Sequence, residues 1–364
     1  MKVQYKIAAA VAAAGVVAAL PGAADAAKIR TKTVYMGLPS QKAGKKFQSV
    51  GADVNDFFPH GITVHVGDRV RFVPTGFHTL DFAPRGQGPI ALVSTKNPIV
   101  TNALDAAGQP FWFNNAVPNA SFNPVLLKSR FGKKLRYGGK NRVESGLPLA
   151  NKPKPLTVKF TRTGNFTYFC DIHPGMKGVV HVRKRGTRIP KAKDDKRAIN
   201  NQLNRDFNVS KGLKAAKPGA LTVDVGVAGP NGEEYYGFAP GTVSVKVGQT
   251  LKFQMTKGSF ETHTATTGPD DPNKPGTYLG TISSSFQGAP VIDPRGVYPS
   301  EAPGTIATLT PTLHGNGFWN SGALDNDSAS PQPSSNSVTF GAAGTYQFWC
   351  MVHPFMHLTV TVSP

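Results

Sequence analysis

Residues 158–182 read VKFTRTGNFTYFCDIHPGMKGVVHV, and residues 338–362 read VTFGAAGTYQFWCMVHPFMHLTVTV. Earlier in the chain, GITVHVGDRVRF from Gly61 matches GTVSVKVGQTLKF from Gly241 at nearly the same offset. Each segment alternates apolar and polar residues and is closed by Gly, which is the pattern of half-buried strands. The chain is therefore a tandem duplication, and its predicted fold class is all-β, with two tandem sandwiches of antiparallel sheets.

Composition agrees with this fold class. The chain has 364 residues, which suggests two or three domains, and it contains 39 Gly and 30 Pro. So many helix breakers argue against a helical bundle or a coiled coil and favour short strands joined by turns. Two cysteines are too few for a scaffold held together by disulfides.

The first 26 residues have the pattern of a secretory signal peptide. Lys2 and Lys6 precede an apolar run, and the tripeptide Ala24-Asp25-Ala26 is a small-residue cleavage motif. The run is too short for a membrane-spanning helix, and no later segment is long and apolar enough to be one. We expect cleavage after Ala26 and a secreted or periplasmic protein.

The rest of the chain divides by composition. Ile199, Leu203 and Phe207 recur every four residues after a charged run, so a short helix packed on the first domain is predicted there. The predicted division is a signal peptide at 1–26, a basic domain at 27–190, a charged helix and linker at 191–219, and a mildly acidic domain at 220–364.

Charge is unevenly distributed between the halves. Residues 1–218 hold 36 Lys and Arg against 11 Asp and Glu, whereas residues 219–364 hold 5 against 10. A solvated surface explains such a balance, and so do docking to an acidic redox partner, adhesion to an anionic envelope surface, or attraction between the domains. Nucleic acid is not expected as a partner, because the chain lacks a basic groove studded with aromatic residues.

The residues that carry chemistry repeat in both copies. Two His, one Cys and one Met per copy form the ligand set of a blue-copper site, a His2Cys plane with a weak axial Met. Soft sulfur suits Cu(I) and imidazole suits Cu(II), so this set binds both oxidation states. The candidate ligands are His78, Cys170, His173 and Met176 in the first copy, and His263, Cys350, His353 and Met356 in the second.

Through these residues the chain resembles a tandem cupredoxin, in the plastocyanin, amicyanin and pseudoazurin group. CDIHPGM and CMVHPFM are similar to the Cys-x-x-His-x-x-Met ligand loop of amicyanin. The resemblance implies Greek-key sandwiches, one type 1 copper per domain, and electron transfer to redox protein partners. It also implies that the edges of His173 and His353 reach the surface through apolar patches, shaped by Gly175 and Phe355.

Two features depart from small cupredoxins. The interval between the early His and the Cys is much longer, and it contains Phe111-Trp112-Phe113 in one copy and Phe318-Trp319 in the other. These motifs either cover the copper end or fill the core. Thr79 and Thr264 follow the early histidines where Asn is usual. A backbone donor to the Cys sulfur can survive that change, although the reduction potential can move.

Other interpretations stay open at this point. A disulfide between Cys170 and Cys350 is one of them, and copper storage or delivery outside the cell is another. A two-domain copper oxidase or nitrite reductase is less favoured, because no His-x-His pair occurs and no His flanks either Cys, so no catalytic centre is visible. The remaining histidines are interpreted as structural or surface residues, with His357 a candidate for extra metal: His60, His65, His181, His314 and His357.

Overall fold

The computed structural model describes residues 29–95, 97–327 and 330–364. The predicted signal peptide therefore lies outside the described residues. Among the helices within them, none is both long and apolar enough to cross a membrane.

The first half contributes thirteen strands within the described residues, and a long helix follows them. The strands are β1 (Thr31–Met36), β2 (Ala52–Val54), β3 (Phe57–Phe58), β4 (Gly61–His65), β5 (Arg69–Pro74), β6 (Asp81–Phe82), β7 (Val93–Ser94), β8 (Ser121–Phe122), β9 (Lys134–Tyr137), β10 (Val143–Glu144), β11 (Leu156–Phe160), β12 (Gly164–Phe169) and β13 (Lys177–Arg183). The helices are α1 (Gln41–Gln48) and α2 (Ala192–Leu213).

The second half is again mainly strands. They are β14 (Thr222–Ala228), β15 (Glu233–Ala239), β16 (Thr242–Lys246), β17 (Thr250–Gln254), β18 (Thr266–Thr267), β19 (Ala307–Leu309), β20 (Trp319–Asn320), β21 (Ser335–Phe340), β22 (Gly344–Trp349) and β23 (His357–Ser363). The helices are α3 (Tyr278–Ser285) and α4 (Pro294–Val297), with a 3₁₀ turn at Leu313–Gly315.

Two facing sheets form a sandwich in each half. In the first half the strand orders are β3-β1-β5-β11-β9 and β10-β6-β12-β13-β4. In the second half they are β19-β21-β17-β14-β15-β2 and β16-β23-β22-β18-β20. The alternating residues of the sequence repeat meet in the cores, as Phe72 and Val180 do in the first and Phe253 and Val360 in the second. The predicted all-β sandwich fold is confirmed.

One strand crosses from the first half of the sequence to the second. Strand β2 pairs antiparallel with β15, so Asp53 lies opposite Glu234 and Ala52 opposite Tyr235. Residues 52–54 therefore form the edge of a sheet whose other strands all come from beyond residue 221. The predicted domain boundaries at residues 190 and 220 stay predictions. They do not separate the sheets, because β2 belongs to a sheet of the second half.

Helix α2 contains the apolar stripe that the sequence indicates. Ile199, Leu203 and Phe207 pack against a cluster that includes the buried Phe47 and Phe58. The ring of Phe207 meets that of Phe47 edge-on, with 5.4 Å between centroids. The helix also contacts β2 and β15, so it covers the place where the two halves share a sheet.

The long insertions pack on each other. Phe111 and Phe113 of the first lie in one cluster with Phe318 of the second and with Met351, the neighbour of Cys350. Trp112 donates its indole N–H to the carbonyl of Pro299 at 2.8 Å. Trp319, by contrast, is buried in the core of the second sandwich. The sequence left two roles open for these motifs, to cover the copper end or to fill the core. Trp319 fills the core, whereas Phe111, Phe113 and Phe318 pack between the two insertions.

Candidate metal centres

The first candidate centre lies at one end of the first sandwich. His78 follows β5, Cys170 directly follows β12, and His173 stands in the loop that leads to β13. The Nδ1 atoms of the two imidazoles are 2.9 Å apart, and they lie 4.0 and 3.5 Å from the Cys170 sulfur. All three residues are buried.

The ligand loop is closed by its own backbone. The Cys170 N–H donates to the carbonyl of Met176, and the Met176 N–H donates to that of His173, both at 3.0 Å. Met176 is 1% exposed and shares the core cluster of Cys170. The loop is therefore short, fixed at both ends, and directs the Cys and the His toward one point.

The second centre repeats this arrangement. The Nδ1 atoms of His263 and His353 are 3.1 Å apart, and they lie 3.7 and 3.9 Å from the Cys350 sulfur. The Cys350 N–H points to the carbonyl of Met356, and this Met is also buried. Met351 lies in the insertion cluster instead, which agrees with Met356 as the sulfur donor at this end of the core.

The donor sets fit a single soft or borderline ion. Bonds from such a metal are about 2.0 Å to imidazole nitrogen and about 2.3 Å to thiolate sulfur. Every edge of both triangles is shorter than the sum of the two bonds that would span it, so one ion can contact all three atoms in each. Both cysteines are free thiols in the structure. A disulfide between them is therefore not formed.

Both thiols are prepared to ionise. Burial opposes ionisation of Cys170, but attraction and hydrogen bonding from His173 and His78 outweigh it and hold the pKa well below its usual value. The pKa of Cys350 is lowered in the same way, against burial, by His263 and His353. Since the thiolate is the form that binds metal, each site is electrostatically suited to a cation.

A backbone donor to each sulfur is present despite the change from Asn to Thr. The N–H of Thr79 lies 3.4 Å from the Cys170 sulfur, and the N–H of Thr264 lies 3.3 Å from that of Cys350. Each threonine hydroxyl also accepts the N–H of the residue after the Cys, Asp171 or Met351. The threonines thus tie the two ligand-bearing segments of each site together.

Glu261 lies between the two centres and was missed by sequence reasoning. Its Oε1 is 3.1 Å from Nε2 of His173, and its Oε2 is 3.6 Å from Nε2 of His353. Burial opposes ionisation of this carboxyl, but His173 and then His353 outweigh burial and lower its pKa. The sequence contains one signal for it. Glu261 stands two residues before His263, whereas Gly76 stands two residues before His78 in the other copy.

The expectation that both imidazole edges reach the surface is therefore wrong. The side chain of His173 is 7% exposed and faces Glu261. Burial alone would lower the pKa of His173, but Glu261 and the Cys170 thiolate raise it to about 10. The side chain of His353 is 19% exposed, beside Phe355, which is 65% exposed. The two candidate centres face each other across Glu261, and only the second has a partly open edge.

The early histidines have different surroundings. Nε2 of His263 lies 3.4 Å from the buried Glu234. Glycines approach both imidazoles: a Cβ on Gly226 would lie 2.6 Å from Nε2 of His263, and a Cβ on Gly37 or Gly76 would lie within 3.0 Å of Nε2 of His78. Gly37 also has φ +96°, so this close approach needs glycine on both grounds.

The other histidines have structural contacts. His314 lies between Asp105 and Glu301, His60 contacts Asp56, His65 contacts Asp68, His181 contacts Asn165, and His357 stacks near Trp349. In the part of the chain that the structure describes, no third group of three His, Cys, Asp or Glu residues is placed to hold a metal.

Known proteins of similar structure are cupredoxins. The Cu(I) form of an amicyanin variant is 16% identical, with 42% of this chain and 90% of that chain covered and a TM-score of 0.22. A plastocyanin from Dryopteris crassirhizoma is 20% identical over 39% and 99% of the two chains, with a TM-score of 0.20. A purple cupredoxin from Nitrosopumilus maritimus is 16% identical over 39% and 98%, also at 0.20.

No protein-family model and no curated protein sequence matches the chain. At these TM-scores the structural matches carry no argument about the sites, which rest on their own geometry.

Proposed function

We propose that this chain is an exported electron-transfer protein that binds one type 1 copper in each domain. The observation that carries the proposal is the repeated triangle of one buried thiol and two imidazoles, each with a backbone N–H directed at the sulfur. His78, Cys170, His173 and Met176 would hold one copper, and His263, Cys350, His353 and Met356 the other. When bound, copper supplies a one-electron couple between Cu(I) and Cu(II).

The protein's own part is to keep the donors in place. The Cys-x-x-His-x-x-Met loop is closed by backbone hydrogen bonds, and the early histidine is closely approached by glycine backbone, Gly37 and Gly76 at His78 and Gly226 at His263. Rigid donors that change little between the two oxidation states keep the reorganisation small. Small reorganisation favours fast electron exchange.

Removing one cysteine tests the assignment. We expect copper-loaded Cys170→Ser and Cys350→Ser each to lose one copper's blue absorption and narrow-hyperfine EPR signal while keeping the other's. The wild-type protein should bind two coppers per chain. Retention of both bands in either variant would refute the thiolate ligands, and a third copper with a normal type 2 signal would revive the enzyme interpretation.

One observation favours a second candidate, copper storage or delivery. The edge of His173, which a surface partner would use, is covered by Glu261. Transfer of copper to a chelator combined with slow electron self-exchange would support storage. Fast self-exchange with copper retained would support the electron carrier.

The proposal extends to place and partner. The predicted signal peptide would direct the chain to the periplasm or the exterior. The excess of Lys and Arg before residue 219 suits an acidic redox protein as partner, or an anionic envelope surface. Binding that weakens steeply with salt would support an electrostatic partner, and binding indifferent to salt would exclude it.

A further inference from the structure

Three side chains form a continuous connection between the two candidate centres. In each triangle the imidazole of His173 or His353 presents Nδ1 to the sulfur. The opposite nitrogen, Nε2, faces Glu261 in both cases, one on each carboxylate oxygen. The path from one triangle to the other therefore runs through the bonds of His173, Glu261 and His353. It is interrupted only by two contacts, of 3.1 Å between His173 Nε2 and Glu261 Oε1 and of 3.6 Å between Glu261 Oε2 and His353 Nε2.

The carboxylate in the middle is held rigidly. Asn55 donates its side-chain N–H to Oε1 of Glu261 at 2.8 Å, and the Tyr236 hydroxyl donates to the same oxygen. The backbone N–H of Glu261 in turn donates to the Ser259 hydroxyl. Asn55 is itself fixed by its backbone N–H, which donates to the carbonyl of Gly232 at 2.8 Å. The 6% exposed side chain of Glu261 is thus fixed by residues from both halves.

The chemistry of the position requires a carboxylate. Because Nδ1 faces the sulfur in each triangle, the ring proton of His173 and of His353 belongs on Nε2. An ionised carboxylate only accepts hydrogen bonds and has room for about four donors. Here Asn55 and Tyr236 donate to it, Nε2 of His173 lies 3.1 Å away, and Nε2 of His353 lies in ion-pair contact at 3.6 Å. A buried charge persists only where it is paired in this way. An amide would turn its own N–H₂ toward one of these donors.

We propose that Glu261 is the bridge through which an electron passes between the two metal sites. This inference rests on the proposed function, since it needs copper in both. An external one-electron donor reduces one site. The electron then leaves that site and enters the other, so one is oxidised as the other is reduced. The Nε2 protons stay in place, and no bond forms or breaks.

The surroundings determine which site a partner protein reaches first. The partly exposed His353 contacts the rings of Tyr236 and Phe355, with 5.1 and 6.0 Å between centroids. On the other side the side chain of His173 is only 7% exposed, and the ring of Phe260 lies against its loop, 2.3 Å from where a Cβ at Gly175 would stand. An electron from a partner therefore reaches the second site first and the first site through Glu261.

The experiment measures internal electron exchange in the fully copper-loaded protein. A short pulse of a chemical or photochemical reductant delivers less than one electron per chain. The visible absorption of the two copper sites is then recorded over time to measure how fast the electron equilibrates between them. We expect Glu261→Gln to slow this step by about tenfold or more, or about 1.4 kcal/mol in the barrier, because one of the two contacts is lost. Both coppers and both EPR signals should remain.

Asp224→Asn is the matched control. Asp224 is also a buried acid of the second half, but its carboxylate accepts from the Gln254 side chain at 2.9 Å. Its replacement removes a buried carboxylate away from the bridge, so the exchange rate should stay within about twofold. Equal rates in wild-type protein and Glu261→Gln would overturn the bridge, and so would equal slowing in both variants.

Two further measurements test the bridge even if Glu261→Gln fails to bind both coppers. Glu261→Asp keeps the charge but is one methylene shorter, so it should slow exchange too. In the wild-type Cu(I) protein, NMR should detect two slowly exchanging imidazole N–H protons, on Nε2 of His173 and His353. Their absence would overturn the bridge even if both coppers bind. Failure of the wild-type chain to bind two coppers would instead refute the proposed function.

Discussion

At the scale of single residues, Gly175 illustrates how closely the two halves approach. Its φ is +103°, and an added Cβ would lie 2.3 Å from the ring of Phe260 in the other half. A side chain here meets both an unfavourable backbone conformation and a steric clash. The repeat has Phe355 at the equivalent position, where the chain is exposed.

We predict that Gly175→Ala lowers the free energy of unfolding by about 2–4 kcal/mol. Gly186→Ala is the control, since Gly186 has φ +84° but open space around its Cβ position. Gly186→Ala should lower the free energy of unfolding by only about 1 kcal/mol, because alanine adopts a positive φ less readily than glycine. Urea unfolding of both variants measures the difference. Equal losses would mean that the contact with Phe260 contributes nothing.

The sequence predicts most of each site and little of what joins them. That Cys170 and His173 lie together is predictable because spacing within one loop is a local property, and repetition in both copies indicates that His78 and His263 join them. Their role as metal ligands stays a prediction. Glu261 and Asn55 have no such signal, because their roles arise only when the two sandwiches meet. The covering of His173 was mispredicted for the same reason: the resemblance concerns single domains, whose ligand edges have no second domain against them.

At the scale of secondary-structure elements, α2 is anchored to the first half through one apolar face. Phe207 packs on Phe47, and the ammonium of Lys46 lies 4.1 Å from the centre of the Phe207 ring. We predict that Phe207→Ala lowers the free energy of unfolding by about 2–3 kcal/mol, through lost apolar burial and a cavity. Asn208→Ala, on the exposed face of the same helix, should change it by less than about 0.5 kcal/mol. Similar values for both would show that the helix is not anchored by this face.

The insertions contain a pH-dependent contact. His314 lies 3.2 Å from Asp105 and 2.9 Å from Glu301. Burial lowers the pKa of His314, but Glu301 and then Asp105 outweigh it, and the folded-state pKa is raised. The stabilisation is therefore complete below the unfolded pKa of about 6.5, and it is lost as pH rises through the folded value.

We accordingly expect the stability difference between wild-type protein and His314→Asn to be largest near pH 5.5 and to shrink by pH 9. Asn tolerates the positive φ of 51° at this position, so backbone strain does not confuse the comparison. Denaturant unfolding across this pH range measures the difference. A difference independent of pH would show that the charged imidazole is not what stabilises the contact.

At the scale of the whole molecule, the two repeats do not form independent units. Strand β2 completes the sheet of the second sandwich, and the insertions share an aromatic cluster. We predict that fragments 27–219 and 220–364, produced together, associate and unfold in one cooperative transition. Produced alone, the second fragment should unfold at lower temperature or aggregate, because the edge of β15 is then unpaired. An equally stable isolated second fragment would contradict this.

The strand shared between the halves also determines when the molecule can be completed. Asn55 and Tyr236, which meet at Glu261, are 181 positions apart in the chain. Contacts this distant form late, because a long loop must close first. A chain that emerges from its N-terminus presents residues 52–54 long before their partner exists. An arrested or clipped chain would therefore carry His78, Cys170 and His173 without the carboxylate that covers His173, leaving this candidate site open to the surrounding medium until Glu261 has been added.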